Sequence, residues 1–219
     1  MLKIYGVYQS RASRVYWMAE ELGLAFQSVP VIQSRFVADP EQDGARLNTR
    51  SAAYLAVNPA GLIPAIEDEG LMLTESLAIT HYLAEKHGGP VGPQSAQEKG
   101  EMLAWTLWAA TSVEPQTIKI VLTHDAGQQT SPGSVEAIGV ATRLLKGPLS
   151  RLNTHLSTHD YLVGDRFTVA DLNVCEITRY AMGETAFMAG FPAILDWVAR
   201  CHCRPAFQRM WQVRSAEGG

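Results

Sequence analysis

The chain has 219 residues, 18 basic and 22 acidic, for a net charge of −4. Its hydrophobic share of 47% is ordinary, which excludes a disordered chain, and its length is enough to build a core without staples. The mild acidity argues against a surface that tracks nucleic-acid phosphates, and no run approaches the roughly 18 apolar residues of a membrane span, so neither nucleic acid nor membrane is an expected partner.

The three cysteines, Cys175, Cys201 and Cys203, make an odd set that is no disulfide framework and fits a reducing, cytoplasmic compartment. Met1–Tyr5 has no long apolar segment after Lys3, so no secretory leader is expected there. The low charged share, 18%, leaves room for a buried subunit interface.

In chain order, Leu2–Val7 reads as a short apolar strand and Ser13–Leu22 as a helix that stops at Gly23. Phe26–Val31 alternates like a strand, residues 32–48 are polar and irregular, and a helical turn is expected over Ala52–Val57. Pro64–Glu67 and Leu71–Leu73 read as two short strands about the Asp68-Glu69-Gly70 turn. Ser76–Lys86 reads as a helix with Leu77, Ile79, Tyr82 and Leu83 on its apolar side. The strand–helix–strand opening implies a parallel pair, to which the hairpin adds an antiparallel edge.

His87–Gln94 holds three Gly and two Pro in eight residues and reads as a linker. Beyond it the pattern is helical. Ser95 and Glu98 have capping-box spacing ahead of a stripe of Met102, Trp105 and Ala109. Ile138, Leu145, Leu149, Leu152 and Leu156 mark another helix, which Gly147-Pro148 is expected to break or kink. Thr168–Asp171 resembles a second capping box, Ile194–Cys201 and Phe207–Val213 read as closing helices, and Ser215–Gly219 as a frayed tail.

Three places could carry chemistry. Pro64, directly before an apolar strand, lacks the N–H that a ladder needs. A cis Ile63–Pro64 bond would turn the backbone of Ile63 outward, where a ligand with peptide character could pair as an added strand does. A trans proline opening a strand is the simpler alternative. At Thr74-Glu75-Ser76 a strand meets a helix, whose free N–H groups and dipole favour an anion. Ser76 can add a hydroxyl and Glu75 can hold an ammonium, a combination suited to an α-amino acid; plain helix capping is the alternative. At Tyr8–Arg14 a hydroxyl beside a helix N-terminus can donate to a thiolate, or Ser10 or Ser13 can simply cap the helix.

The motifs Ser10-Arg11-Ala12-Ser13-Arg14-Val15, Asn58–Ile66, Leu73–Ile79, Phe167–Leu172 and Arg204-Pro205-Ala206-Phe207, in this order and spacing, resemble the cytosolic glutathione S-transferases over nearly the whole chain, and within them a bacterial, theta- or phi-like serine type. The resemblance implies an α/β thioredoxin-like glutathione-binding domain over residues 1–87, a linker over 88–94 and an all-α domain over 95–219 that lines an electrophile site. It implies a homodimeric cytoplasmic transferase in detoxification, with glutathione as co-substrate, a small hydrophobic electrophile and no metal.

Position by position, Pro64 matches the family's cis-proline, and the Ile63 backbone would pair with the cysteinyl unit. Glu75 and Ser76 match the pair that holds the γ-glutamyl amine and carboxylate. Arg50 falls where many members place a polar residue near the glycyl carboxylate, and Ser10 matches the catalytic serine. Tyr5, at the end of the first strand where tyrosine-type members carry theirs, and Ser13 are the alternatives. Leu62 stands where many members have Lys or Gln, so a lower affinity for glutathione is expected. No cysteine precedes Cys175, which excludes a thiol of the first loop as nucleophile.

Trp105 and Trp108 are expected in the core and cleft, with one facing the electrophile. His155 and His159 read as a solvated helix end and Cys201-His202-Cys203 as inert thiols near a helix end. The rival readings are a glutathione-dependent isomerase or peroxidase, and a non-catalytic binding or scaffold protein of the same fold.

Overall fold

The computed structural model describes residues 1–217, which form two compact units: Met1–Gly92 together with the chain from Arg204 onward, and Pro93–Cys203. The first unit opens with β1 (Leu2–Tyr5), α1 (Ala12–Glu21) and β2 (Phe26–Val29). After a loop comes the single turn α2 (Ala52–Leu55), then β3 (Ala65–Asp68), β4 (Leu71–Thr74) and α3 (Ser76–His87). The sheet order is β2-β1-β3-β4; β1 and β2 are parallel, with Leu2 opposite Phe26, while β1–β3 and β3–β4 are antiparallel.

Ile4 and Ile66 pair across the centre of this sheet and are fully buried, as are Val15, Trp17 and Met18 of α1 and Ile79 and Leu83 of α3. The buried side of α3 is Ser76, Ile79, Thr80, Leu83 and Ala84. Leu77 and Tyr82 of the expected apolar side are only half-buried, and Tyr82 donates to Asp68 (2.9 Å) beside a Lys86–Asp68 ion pair (2.7 Å). The first strand ends at Tyr5 rather than Val7, because Gly6 breaks it at φ +146°. A Cβ at Gly6 would lie 2.9 Å from that of Ala12, so the strand end and the helix start approach more closely than any side chain allows.

The second unit is helical. α4 (Ala96–Trp108) passes through a π-type turn at Ala109–Val113 into α5 (Glu114–Asp125), followed by α6 (Pro132–Leu156), α7 (Val169–Arg179), the single turn α8 (Thr185–Met188) and α9 (Pro192–His202). Both expected N-terminal boxes are present in altered or full form. At α4 the Glu98 N–H donates to Ser95 Oγ (3.1 Å), but the Glu98 carboxylate accepts from the Gln94 N–H (2.8 Å) and pairs with Arg166 (2.6 Å). At α7 the box is reciprocal, and the buried Asp171 also accepts from Leu162 N–H (3.0 Å) and Trp197 Nε1 (3.0 Å).

Pro148 does not break α6, which is continuous over 25 residues. Ile138, Ala141 and Leu145 before the proline and Leu149, Leu152 and Leu156 after it are buried on one stripe, while Leu144, whose carbonyl loses its helical partner, is exposed. Burial on both sides outweighs one missing hydrogen bond.

The chain does not finish in the second unit, as the expectation for 95–219 had it. The last helix, α10 (Pro205–Ala216), belongs to the first unit, where it packs on α1. Phe207 meets the ring of Trp17 edge-on at 4.9 Å, and Arg204 forms a double hydrogen bond with Glu21 (both 2.8 Å). The expected frayed tail is tied down at Glu217, whose carboxylate accepts from the Tyr8 and Gln9 N–H groups at 3.0 and 2.7 Å. Gly218 and Gly219 lie outside the described residues.

Candidate active site

The first unit contains a cavity of about 330 Å³. Its lining comes from the end of the β1–α1 loop (Arg11), the turn Gln33–Arg35, Thr49, the loop from Asn58 to Pro64, and Thr74–Ser76. Of the residues singled out in the sequence, Leu62, Ile63, Pro64, Glu75 and Ser76 meet here. The Ile63–Pro64 peptide bond is cis.

The loop before that bond is held from behind. The carbonyl of Leu62 accepts from the Tyr54 hydroxyl and from Asn58 Nδ2 (2.7 Å), while Asn58 Oδ1 accepts from the Ala60 N–H (3.1 Å) in an Asx-type turn. Tyr54 is buried, which pushes its hydroxyl up to about 12 and keeps it a donor. Gly61 sits at φ +61°, and a Cβ there would lie 2.8 Å from the Thr49 carbonyl oxygen. The Leu62 side chain is 62% exposed at the edge of the cavity and brings no polar group to it.

On the opposite side of the sequence motif, Glu75 leads into α3 with φ +69° and ψ +108°. A residue with a Cβ holds such a conformation at a cost of about 1–3 kcal/mol. Ser76 follows, buried at the first turn of α3, where backbone N–H groups have no helical acceptor. Behind Ser76 lies Arg14, itself buried on α1, whose Nη1 donates to Ser76 Oγ at 3.1 Å.

The charges at the cavity are Arg11 and Arg35, the positive N-terminal end of α3, and the Glu75 carboxylate. A ligand that matches has two carboxylates, one ammonium and a peptide unit between them.

Residues 4–91 match the family described as Glutathione S-transferase, N-terminal domain, and residues 136–205 the family described as Glutathione S-transferase, C-terminal domain. The chain belongs to the glutathione S-transferase family.

Among curated glutathione S-transferases it is similar to glutathione S-transferase F9 of Arabidopsis thaliana, 29% identical over 187 residues that cover 84% of this chain and 82% of that protein. Among solved structures it is similar to glutathione transferase F7 of Populus trichocarpa, with a TM-score of 0.83 and 29% identity over 98% of this chain and 99% of that one. It is also 32% identical over 163 residues to elongation factor 1-gamma of Danio rerio, covering 73% of this chain but only 36% of that protein.

Several positions carried over from the glutathione S-transferase family do not line this cavity. Ser10 lies at the junction of β1 and α1, beside Arg11. Its hydroxyl donates to the Val7 carbonyl (2.7 Å) and accepts from the Ala12 N–H (3.0 Å). Ser13 is fully buried within α1. Tyr5 sits in the sheet, where its hydroxyl donates to Glu67 (3.2 Å), itself paired with Lys3 (3.0 Å). Arg50 lines a separate cavity with Asp39, Pro40, Glu41 and Gln42 and pairs with Glu41 at 3.5 Å. The turn that aims it is fixed by Asn48, whose Oδ1 accepts the Arg50 N–H (2.8 Å).

The cations that do line the site, Arg11 and Arg35, were missed because each lies in a stretch without periodicity, beside the strand end and in the polar 32–48 loop. Arg11 stands inside the Ser10–Val15 motif, and its charge beside Ser10 was the available signal.

Trp105 and Trp108 lie in the second unit, half-buried and edge-on to one another at 5.2 Å. The Arg151 guanidinium sits over both rings at 5.1 and 5.3 Å, and His155 lies 4.9 Å from Trp105, with His159 stacked on it at 4.4 Å. Their ring faces are therefore engaged inside the helical unit. Cys175 and Cys201 are buried and Cys203 is exposed.

Proposed function

We propose that this chain binds glutathione in the cavity of its first unit and joins it through its sulfur to a small hydrophobic electrophile. One observation carries the reading: the lining of the cavity combines Arg11, Arg35, Glu75, the first turn of α3 and the backbone ahead of the cis Pro64, and glutathione has the complementary two carboxylates, one ammonium and peptide backbone. In this arrangement the Ile63 backbone pairs with the cysteinyl unit ahead of Pro64. Glu75 holds the γ-glutamyl ammonium, and the Ser76 hydroxyl with the first N–H groups of α3 holds the adjoining carboxylate. Arg35, with Arg11, takes the glycyl carboxylate in place of Arg50, and Leu62 contributes apolar contact only.

A free thiol ionises near pH 8.5, so at neutral pH it needs help to become the nucleophile. Ser10 supplies it. The Ala12 N–H already donates to Ser10 Oγ, which polarises the hydroxyl and makes its proton a better donor. The thiol passes its proton to water, and rotation of the Ser10 proton from the Val7 carbonyl to the glutathione sulfur, lying at the Arg11 end of the cavity, stabilises the thiolate left behind, which then attacks the electrophilic carbon as the leaving group departs with the bonding pair. Ser10→Ala is expected to lower kcat about 10- to 100-fold, the worth of one hydrogen bond to a charged group, with glutathione binding retained. Retained activity in Ser10→Ala together with its loss in Tyr5→Phe would move the role to Tyr5.

The similarity to elongation factor 1-gamma favours a second reading, a non-catalytic binding module of the same fold. The two separate on turnover: a panel of aryl halide conjugation, peroxide reduction and double-bond isomerisation gives a rate under the first reading and none under the second. The cytoplasmic, homodimeric state expected of the family is part of this proposal. Leu103 and Leu107 on α4 and Val140 and Leu144 on α6 are apolar and exposed within the second unit, as a subunit interface requires. Light scattering at micromolar concentration is expected to give twice the chain mass.

A further inference from the structure

We infer that Arg14 is a positioning residue that fixes the Ser76 hydroxyl as a donor toward the cavity, and so makes the γ-glutamyl end of the site selective for a carboxylate. This rests on the glutathione reading and goes beyond it, because Arg14 does not line the cavity. A hydroxyl has one proton and two acceptor lone pairs, whereas a guanidinium can only donate. The 3.1 Å bond from Arg14 Nη1 therefore occupies a lone pair of Ser76 Oγ and leaves the proton for an acceptor in the cavity. Arg14 is buried behind Ser76, so the bond between them is shielded from water, and Ser76 on α3 is tied to α1 while it lines the edge of the site. The guanidinium adds a permanent positive charge one hydrogen bond behind the ligand's acceptor. A site of this kind accepts an anion and disfavours a neutral amide, whose NH₂ would meet a donor.

The test is calorimetric titration with glutathione and with its analogue amidated at the γ-glutamyl α-carboxylate, on wild type, Arg14→Met, Arg14→Lys, Ser76→Ala and each Arg14 change combined with Ser76→Ala. Wild type is expected to prefer glutathione over the amide. Arg14→Met is expected to weaken glutathione about tenfold and leave the amide unchanged, so that the preference collapses. Where Arg14→Met does not fold, Arg14→Lys, which keeps the cation, carries the same measurement with a severalfold effect that vanishes in the Ser76→Ala background. A purely structural role would lower affinity for both ligands alike, and with equal force in both backgrounds; either result overturns the inference. Wild type that binds and discriminates while the Arg14 variants keep the preference refutes Arg14 alone. Wild type that binds neither ligand refutes the glutathione reading and this inference with it.

Discussion

Glu75 holds a backbone conformation that a side chain disfavours, at the residue where β4 gives way to α3, and its side chain lines the cavity. Strain kept at such a position points to function, because a glycine would hold the turn at less cost. Glu75→Gly is therefore expected to leave the melting temperature unchanged or raise it, while glutathione affinity falls about tenfold; a lower melting temperature with unchanged affinity would make Glu75 a folding residue. The residue chemistry of Thr74-Glu75-Ser76 allowed either an ammonium-and-carboxylate grip or plain helix capping, and only the family resemblance favoured the first. Its backbone was not legible, since φ is set by how β4 meets α3 and not by local sequence.

Asp171 shows the same division: its capping role was readable, but not its burial. Burial pushes its carboxyl up to about 6 against hydrogen bonds from Trp197, Thr168 and Leu162 that pull it down. The folded chain thus holds this proton more tightly than the unfolded one, so on its account stability is highest below the ordinary carboxylate range and falls as the pH rises to about 6. Asp171→Ala leaves those donors without an acceptor, and a loss of about 3 kcal/mol or more is expected in denaturant unfolding.

At the scale of elements, α6 and the start of α4 make opposite points. Local propensity predicted a break or a kink at Pro148; the break is absent, and the buried stripe on either side keeps the helix continuous, because tertiary packing is invisible to a single residue's preference. Pro148→Ala is expected to raise stability by about 1–3 kcal/mol by restoring the bond to the Leu144 carbonyl. The Ser95–Glu98 spacing does mark a helix start, but the partner of Glu98 is not legible in it, since Arg166 is 68 residues away. Arg166 and the Gln94 N–H hold the Glu98 carboxyl down to about 2. Its folded value lies below its unfolded one, so its stabilisation is present above the ordinary carboxylate range and is lost as the pH falls toward about 2. Glu98→Gln is expected to flatten the acid limb of the stability curve in that window and to leave the curve above it parallel to wild type; an unchanged acid limb would show the pair to be without thermodynamic weight.

For the molecule as a whole, the order of strands and helices in the first unit, the parallel and antiparallel pairings and the helical character of the second half were legible from periodicity and turn residues, whereas α5 and α8 were not. The return of α10 to the first unit was not, because nothing local distinguishes a helix that packs on α1 from one that stays with its neighbours in sequence. Nor was the placement of Arg50 against Arg35: both are basic loop residues, but Arg50 follows the turn held by Asn48 and pairs with Glu41, while Arg35 follows Ser34, whose N–H donates to Thr49 Oγ1, and lines the cavity. The proposed match between the charge pattern of this cavity and glutathione is tested most directly by titration calorimetry of the full chain. One-to-one binding at or below about 1 mM is expected, weakened by Glu75→Gln, Ser76→Ala and Arg35→Ala but not by Arg50→Ala. No heat of binding at millimolar glutathione, or weakening by Arg50→Ala with Arg35→Ala silent, would contradict it.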